Sequence, residues 1–139
     1  MRMDDVETRW ATRMLSVLRI VAGLVFWQHG VQKMLQFPLA RPGPELFSMS
    51  WFAGAIEFVL APLLIVGLLT RPVAFILAGE MAFAYWIGHA PRGFLPYENG
   101  GNLAIMYCFV FLYLAFAGGG PWSPDHAMRR KGVAVPAWA

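Results

Sequence analysis

Apolar residues fall into four long runs with no strict alternation, each closed by a cluster of helix-breaking residues. The runs cover about Met14 to Met34, Trp51 to Thr70, Pro72 to His89 and Asn102 to Gly118. A helix needs about 20 residues, and at least about 17, to cross roughly 30 Å of hydrocarbon. The last two runs stand at the short end. Single apolar runs without alternation do not build a lipid-exposed barrel, so the pattern predicts helices rather than strands. Breaks occur at Pro38, Pro42, Gly43 and Pro44, at Thr70-Arg71-Pro72, from Pro91 through the Glu98-Asn99-Gly100-Gly101 run, and at Gly118-Gly119-Gly120-Pro121. Pro62 lies inside the second run and is expected to kink it unless neighbours satisfy the freed carbonyl.

The pattern therefore predicts an all-α four-transmembrane-helix bundle. It forms a single integral membrane domain over 1–139, with 119–139 as a cytoplasmic tail. A three-span reading needs one of the runs to be re-entrant. No repeat or low-complexity segment is visible.

Composition narrows the class further. Hydrophobic residues make up 58% of the chain and charged residues 14%, against about 25% charged in a typical soluble domain. Mean hydropathy is +0.53. A soluble fold of this length cannot bury that much apolar surface, and a disordered chain or a secreted disulfide scaffold is excluded too. The single cysteine, Cys108, rules out an intramolecular disulfide and any CxxC centre.

The net charge of +3 is not a nucleic-acid signal, because most basic residues flank apolar runs. With four crossings, one side holds Arg2, Arg9, Arg13, Arg19, Arg71, Arg129, Arg130 and Lys131, and the other holds Lys33, Arg41 and Arg92. The positive-inside rule then places both termini in the cytoplasm. The first run ends in Gln28-His29-Gly30 rather than a small-residue cleavage site, so it is expected to be retained.

The polar residues inside these runs carry the candidate chemistry. Glu57 and Glu80 are carboxyls within apolar helices and should face the bundle and either find partners or be protonated, Glu80 serving a proton role or a structural network. His29 lies near the depth of Glu57, and Lys33 follows one turn later on the same face. Together with Gln28, His89 and Asn102 they outline a polar cluster towards the outer side. Arg19, nearer the cytoplasmic side, is expected to reach Glu80 or to snorkel to headgroups.

The cluster admits two readings. One is a small pocket for a quinone headgroup, a lipid headgroup or another amphipathic ligand. The other is a buried network that only fixes helix register.

Several other features point to structure rather than chemistry. His29 and His89 both lie close to helix ends and no second histidine pair exists, which disfavours haem. A metal held by His29, His89 and Glu57 has no specific spacing behind it. Trp27, Trp51 and Trp86 on one side, with Trp10 and Trp122 on the other, read as interfacial belts. The triple glycine lacks the strand–loop–helix setting of a phosphate loop and reads as a helix stop. Arg129, Arg130 and Lys131 suit anionic headgroups and, with Arg71, a docking surface for a partner.

Taken in order, Arg19 with Gly23, His29-Gly30 and Lys33, Glu57, Gly67-Leu68-Leu69-Thr70-Arg71, His89, Asn99-Gly100-Gly101-Asn102-Leu103-Ala104, Ala115-Phe116-Ala117-Gly118 and Trp122-Ser123-Pro124-Asp125 resemble the DoxX family of small bacterial membrane proteins. The resemblance covers about 14–126. One departure is Asn102, where the family often has Glu, so a proton-linked role built on that carboxylate lacks its residue in this chain.

Family members are linked to a small subunit of thiosulfate:quinone oxidoreductase and to complexes around oxidative-stress enzymes. More distant relatives resemble cargo receptors and assembly chaperones. The resemblance thus implies a multi-pass protein of the bacterial cytoplasmic (inner) membrane, acting as an accessory or scaffold subunit with an outer polar pocket. The alternatives are a quinone-binding subunit of a membrane oxidoreductase and a small proton-linked transporter. Quinone is the cofactor these readings suggest. The expected partners are the lipid bilayer, a redox or other membrane protein, or a second copy of the chain.

Overall fold

α1 (Met3–Leu35) packs along α2 (Met49–Val66), and α3 (Thr70–Ala84) packs along α5 (Asn102–Ala117), giving two helix pairs joined through smaller α2–α3 and α1–α5 contacts. This computed structural model describes residues 3–133. Arg2, counted for orientation, and positions 134–139 of the expected tail lie outside them. Beyond Ala84, α3 widens into a π-helical turn, Tyr85–His89, and tightens into a 3₁₀ turn, Ala90–Arg92. A single turn, α4 (Pro96–Asn99), precedes α5, and α6 (Pro124–Arg130) closes the described chain.

The seam between the pairs alternates small and large residues. Ala61, Ala74, Ala78 and Ala104 let backbones approach, while Phe26, Leu64, Leu77, Phe111 and Leu114 fill the space between them. Phe26 meets Phe111 edge-on at 4.8 Å and Tyr107 at 5.0 Å. Val59, Phe75, Phe109 and Phe116 point outward and are exposed, the arrangement expected where hydrocarbon rather than water surrounds the helices.

The expectation of four crossings is corrected. Three helical segments are long and apolar enough to cross a membrane: Thr8–Leu35, Met49–Val66 and Thr70–Arg92. α5 has 16 residues, below the lower limit of about 17 for a helix that crosses the hydrocarbon, a limit that the 18 residues of α2 clear. Its length is cut at both ends by glycines, Gly100–Gly101 before it and Gly118 after it, where φ is 85°. The even count of crossings falls, and the placement of both termini in the cytoplasm falls with it.

Pro62 does not interrupt α2, which continues through it to Val66. Proline lacks the N–H that would bond to Phe58 four residues earlier. The Trp27 indole Nε1–H from α1 donates to that Phe58 carbonyl instead, at 3.3 Å.

The segment after α5 folds back onto the helix ends. Arg19, fully buried, donates from Nε to Gly119 O at 2.8 Å, from Nη1 to Leu64 O at 2.6 Å and also to Ile65 O, and from Nη2 to Trp122 O at 2.8 Å. The expectation that Arg19 reaches Glu80 or snorkels is therefore corrected. Its guanidinium is consumed by the last carbonyls of α2, where the helix dipole favours a cation, and by the loop beyond α5.

Asp125 does the converse at the start of α3. Its Oδ1 accepts from Leu69 N–H at 2.9 Å and its Oδ2 from Thr70 N–H at 2.7 Å. Leu69 offers no side-chain cap of its own. Gly120, at φ 72°, is required here, because a Cβ would lie 2.3 Å from Ser16 Oγ. Residues 119–125 are thus built into the bundle rather than trailing from it.

Candidate functional site

The last turns of α1 carry His29, Gly30 and Lys33. Gly30 faces α2 so closely that a Cβ would lie 2.5 Å from Phe58 N and 2.8 Å from its Cα. Only a residue without a side chain permits that approach. It brings α1 close enough for Lys33 Nζ to donate to Glu57 Oε1 at 2.7 Å. This is the one ion pair among the described residues.

The two partners differ in setting. Lys33 is 29% exposed and Glu57 2%, so the carboxylate is held inside and the ammonium reaches in from the rim. Lys33 keeps further donors beyond the one it spends on Glu57. The second oxygen, Glu57 Oε2, is buried and has no hydrogen-bond partner among the described residues.

A cavity of ≈ 260 Å³ opens beside this pair. Lys33, Glu57, His29 and His89 line it, together with apolar residues that include Phe26, Met81, Ala104 and Tyr107. His29 lies 6.1 Å from the Phe26 ring and 6.2 Å, edge-on, from the Tyr107 ring. His89 Nδ1 lies 3.1 Å from Asn99 O, which anchors the imidazole where the π-helical turn ends α3. An aromatic floor with a few convergent polar groups is the usual make-up of a small-molecule site.

Of the six residues expected to converge, the structure brings together His29, Lys33, Glu57 and His89. Gln28 does not join them. It borders a separate apolar groove with Trp27, Leu35 and Phe58, because successive helix residues point about 100° apart. Asn102 is exposed at the start of α5 and does not line the cavity.

The buried asparagine is Asn99, which sequence reasoning passed over. Its Nδ2 donates to Gly93 O at 3.0 Å and its Oδ1 accepts from Gly101 N–H at 2.8 Å. The signal available was the Asn99-Gly100-Gly101 turn, where asparagine commonly bonds the backbone two residues on. Asp125 and the Phe26–Tyr107 floor were also passed over as contributors.

Glu80 lies on α3 and is not among the residues that line the cavity. Both of its carboxyl oxygens are buried without a hydrogen-bond partner among the described residues, and it interacts electrostatically with Glu57 and Lys33. Arg71 is half-buried at the opposite end of the bundle, whereas Arg129, Arg130 and Lys131 are exposed. Among the described residues no group of three or more His, Cys, Asp or Glu side chains is placed to hold a metal ion.

Residues 14–90 match the model of the DoxX family. The chain is 42% identical to an uncharacterized protein of Haemophilus influenzae, over 93% of this chain and 100% of that one. It is 26% identical to an uncharacterized membrane protein of Mycobacterium tuberculosis, over 86% of this chain and 84% of that one. No solved structure matches it.

Proposed function

The chain belongs to the DoxX family, and with that as the premise we propose that this multi-pass membrane protein is an accessory subunit whose Lys33–Glu57 cavity takes the head group of a quinone-class ligand. The observation that supports the reading best is Glu57 Oε2. A network serving only to fix helix register would satisfy its buried oxygens from within, whereas this oxygen, on a residue 2% exposed, belongs to a side chain lining an open cavity.

The remaining features fit a flat ring with polar edges. Phe26 and Tyr107 offer aromatic faces, and Lys33 retains donors for a carbonyl oxygen. Glu57 Oε2 can accept from a ring hydroxyl, and His29 can serve as either donor or acceptor. When bound, a quinone would supply the redox chemistry. The chain's own residues bind and orient the ring, and electron transfer belongs to a partner protein. In this reading the protein sits in the cytoplasmic (inner) membrane of a bacterium.

The test uses purified protein in mild detergent and a short-tailed ubiquinol analogue, the reduced member of the class, whose ring hydroxyls can donate to Glu57 Oε2, with binding followed by tryptophan fluorescence. Saturable binding is expected, weakened about tenfold by Glu57→Gln and by His29→Ala, each equivalent to about 1.4 kcal/mol. Circular dichroism should show both variants folded. No saturable binding to the wild type, or equal binding by the folded variants, overturns the proposal.

Glu80 favours a second reading, a proton-linked carrier, because a buried carboxyl inside apolar helices, here without a hydrogen-bond partner among the described residues, is typical of proton pathways. Proteoliposomes loaded with a pH-sensitive dye separate the two. Ligand-dependent proton uptake that Glu80→Gln abolishes supports the carrier, and ligand binding without proton movement supports the subunit.

A further inference from the structure

At the end of the bundle opposite the Lys33–Glu57 pair, a second cavity of ≈ 130 Å³ lies between the start of α3, the glycine loop and α6. We infer that this cavity binds a phosphate-bearing anion, gripped by Arg71 and Arg129 with His126 beside them. The inference is independent of the quinone reading and concerns residues that reading does not use.

Charge is the first argument. Arg71 and Arg129 are permanent cations that both line the cavity. One carboxylate, Asp125, is also in the wall, but each of its oxygens already accepts a backbone N–H, from Leu69 and from Thr70. Among the described residues neither arginine forms an ion pair. Two guanidinium groups therefore line one small space, and among the described residues the one carboxylate there, Asp125, is already engaged by backbone amides.

The same wall holds an unmet donor. Arg71 Nε is buried and has no hydrogen-bond partner among the described residues. Burying a charged donor without an acceptor is costly, and an oxyanion in the adjacent cavity removes that cost. Arginine's planar fork matches the oxygens of a phosphate group, often two at a time.

Size and position agree. An engineered protein cavity of about 150 Å³ holds benzene, so a tetrahedral oxyanion, smaller than benzene, fits the space here. Exposed Trp10, Met14 and Trp122 belong to this end of the bundle, where aromatic side chains mark the headgroup level. The shared chemistry is a phosphate group, and its source is either an anionic phospholipid or free inorganic phosphate.

Native mass spectrometry of the full chain with phosphatidylglycerol against phosphatidylcholine, and thermal unfolding in phosphate against chloride at equal ionic strength, test the inference. Arg71→Gln and Arg129→Gln should each weaken anion binding about tenfold, the loss of one charge-assisted hydrogen bond. Arg130→Gln removes a charge from the same helix but outside the cavity, and should bind as the wild type does. Arg129 is exposed, so its variant remains informative even if Arg71→Gln fails to fold.

Phosphatidylglycerol retained by the wild type, lost in the cavity variants and not displaced by millimolar phosphate assigns the lipid. Stabilisation by inorganic phosphate that the cavity variants lose assigns the free anion. Equal losses in Arg129→Gln and Arg130→Gln, or no preference for either anion by the wild type, overturn the site.

Discussion

Trp27 closes a gap that Pro62 opens: its indole N–H donates to the Phe58 carbonyl at 3.3 Å, the group that a proline four residues later leaves without a helical donor. A residue that reads as part of an interfacial belt thus joins α1 to α2 at the residue next to Glu57.

Trp27→Phe should cost about 1 kcal/mol, the scale of one hydrogen bond between membrane helices. Pro62→Ala restores the backbone donor, so in that background the same change should cost less than half as much. A double-mutant cycle by reversible unfolding in detergent measures the difference. Equal costs in both backgrounds would show that the indole acts only through its bulk.

Breaking the Lys33–Glu57 pair from one side leaves a charge behind. Lys33→Met should destabilise by about 2 kcal/mol, below the 3–5 kcal/mol of a fully buried pair because Lys33 is 29% exposed. Lys33→Met with Glu57→Leu should recover most of that stability, since apolar replacement of both partners removes the desolvation cost as well. The double variant should nevertheless fail to bind the ubiquinol analogue. Stability and binding measured together separate the two roles.

Gly30→Ala should be far more damaging than an alanine in a helix normally is. Its Cβ would sit 2.5 Å from Phe58 N, and the obstacle is backbone that cannot swing aside. Separation of α1 from α2 should cost at least about 1–3 kcal/mol, the usual scale of overpacking, and should lengthen the Lys33–Glu57 contact. Unfolding measurements, with cross-linking between cysteines placed on facing turns of α1 and α2 outside the Lys33–Glu57 pair, report both effects.

Asp125 caps a helix fifty-five residues upstream. Asp125→Ala should cost about 1–2 kcal/mol, as loss of an N-cap does, and Asp125→Asn about half of that because one acceptor oxygen remains. Hydrogen exchange at the Leu69 and Thr70 amides should accelerate in both variants, with Asp125→Ala the faster. Unchanged exchange at these two amides would falsify the cap.

Patterns local to the chain were legible in advance. Runs of apolar residues marked where helices form, and clusters of proline and glycine marked where they stop, because both signals arise within a few residues of the position they describe. His29 and Lys33 could be placed on one face because an α-helix repeats its neighbours at four residues. The same logic went too far at Asn102–Gly118, where apolar character suggested a crossing that the 16 residues of α5 are too few to make.

What a helix turns towards its neighbours was decided only by packing. Gln28 and His29 are adjacent in sequence, yet they border different clefts. Asn99 rather than Asn102 is buried, since a turn residue can bond its own backbone while the residue after the glycines opens a helix. Arg19 answers carbonyls of α2 and of the loop beyond α5, and Asp125 answers amides of α3. Hydropathy and spacing describe one segment at a time, whereas the rotation of each helix, and the partner a buried charge finds, depend on surfaces that meet only after the whole chain has folded.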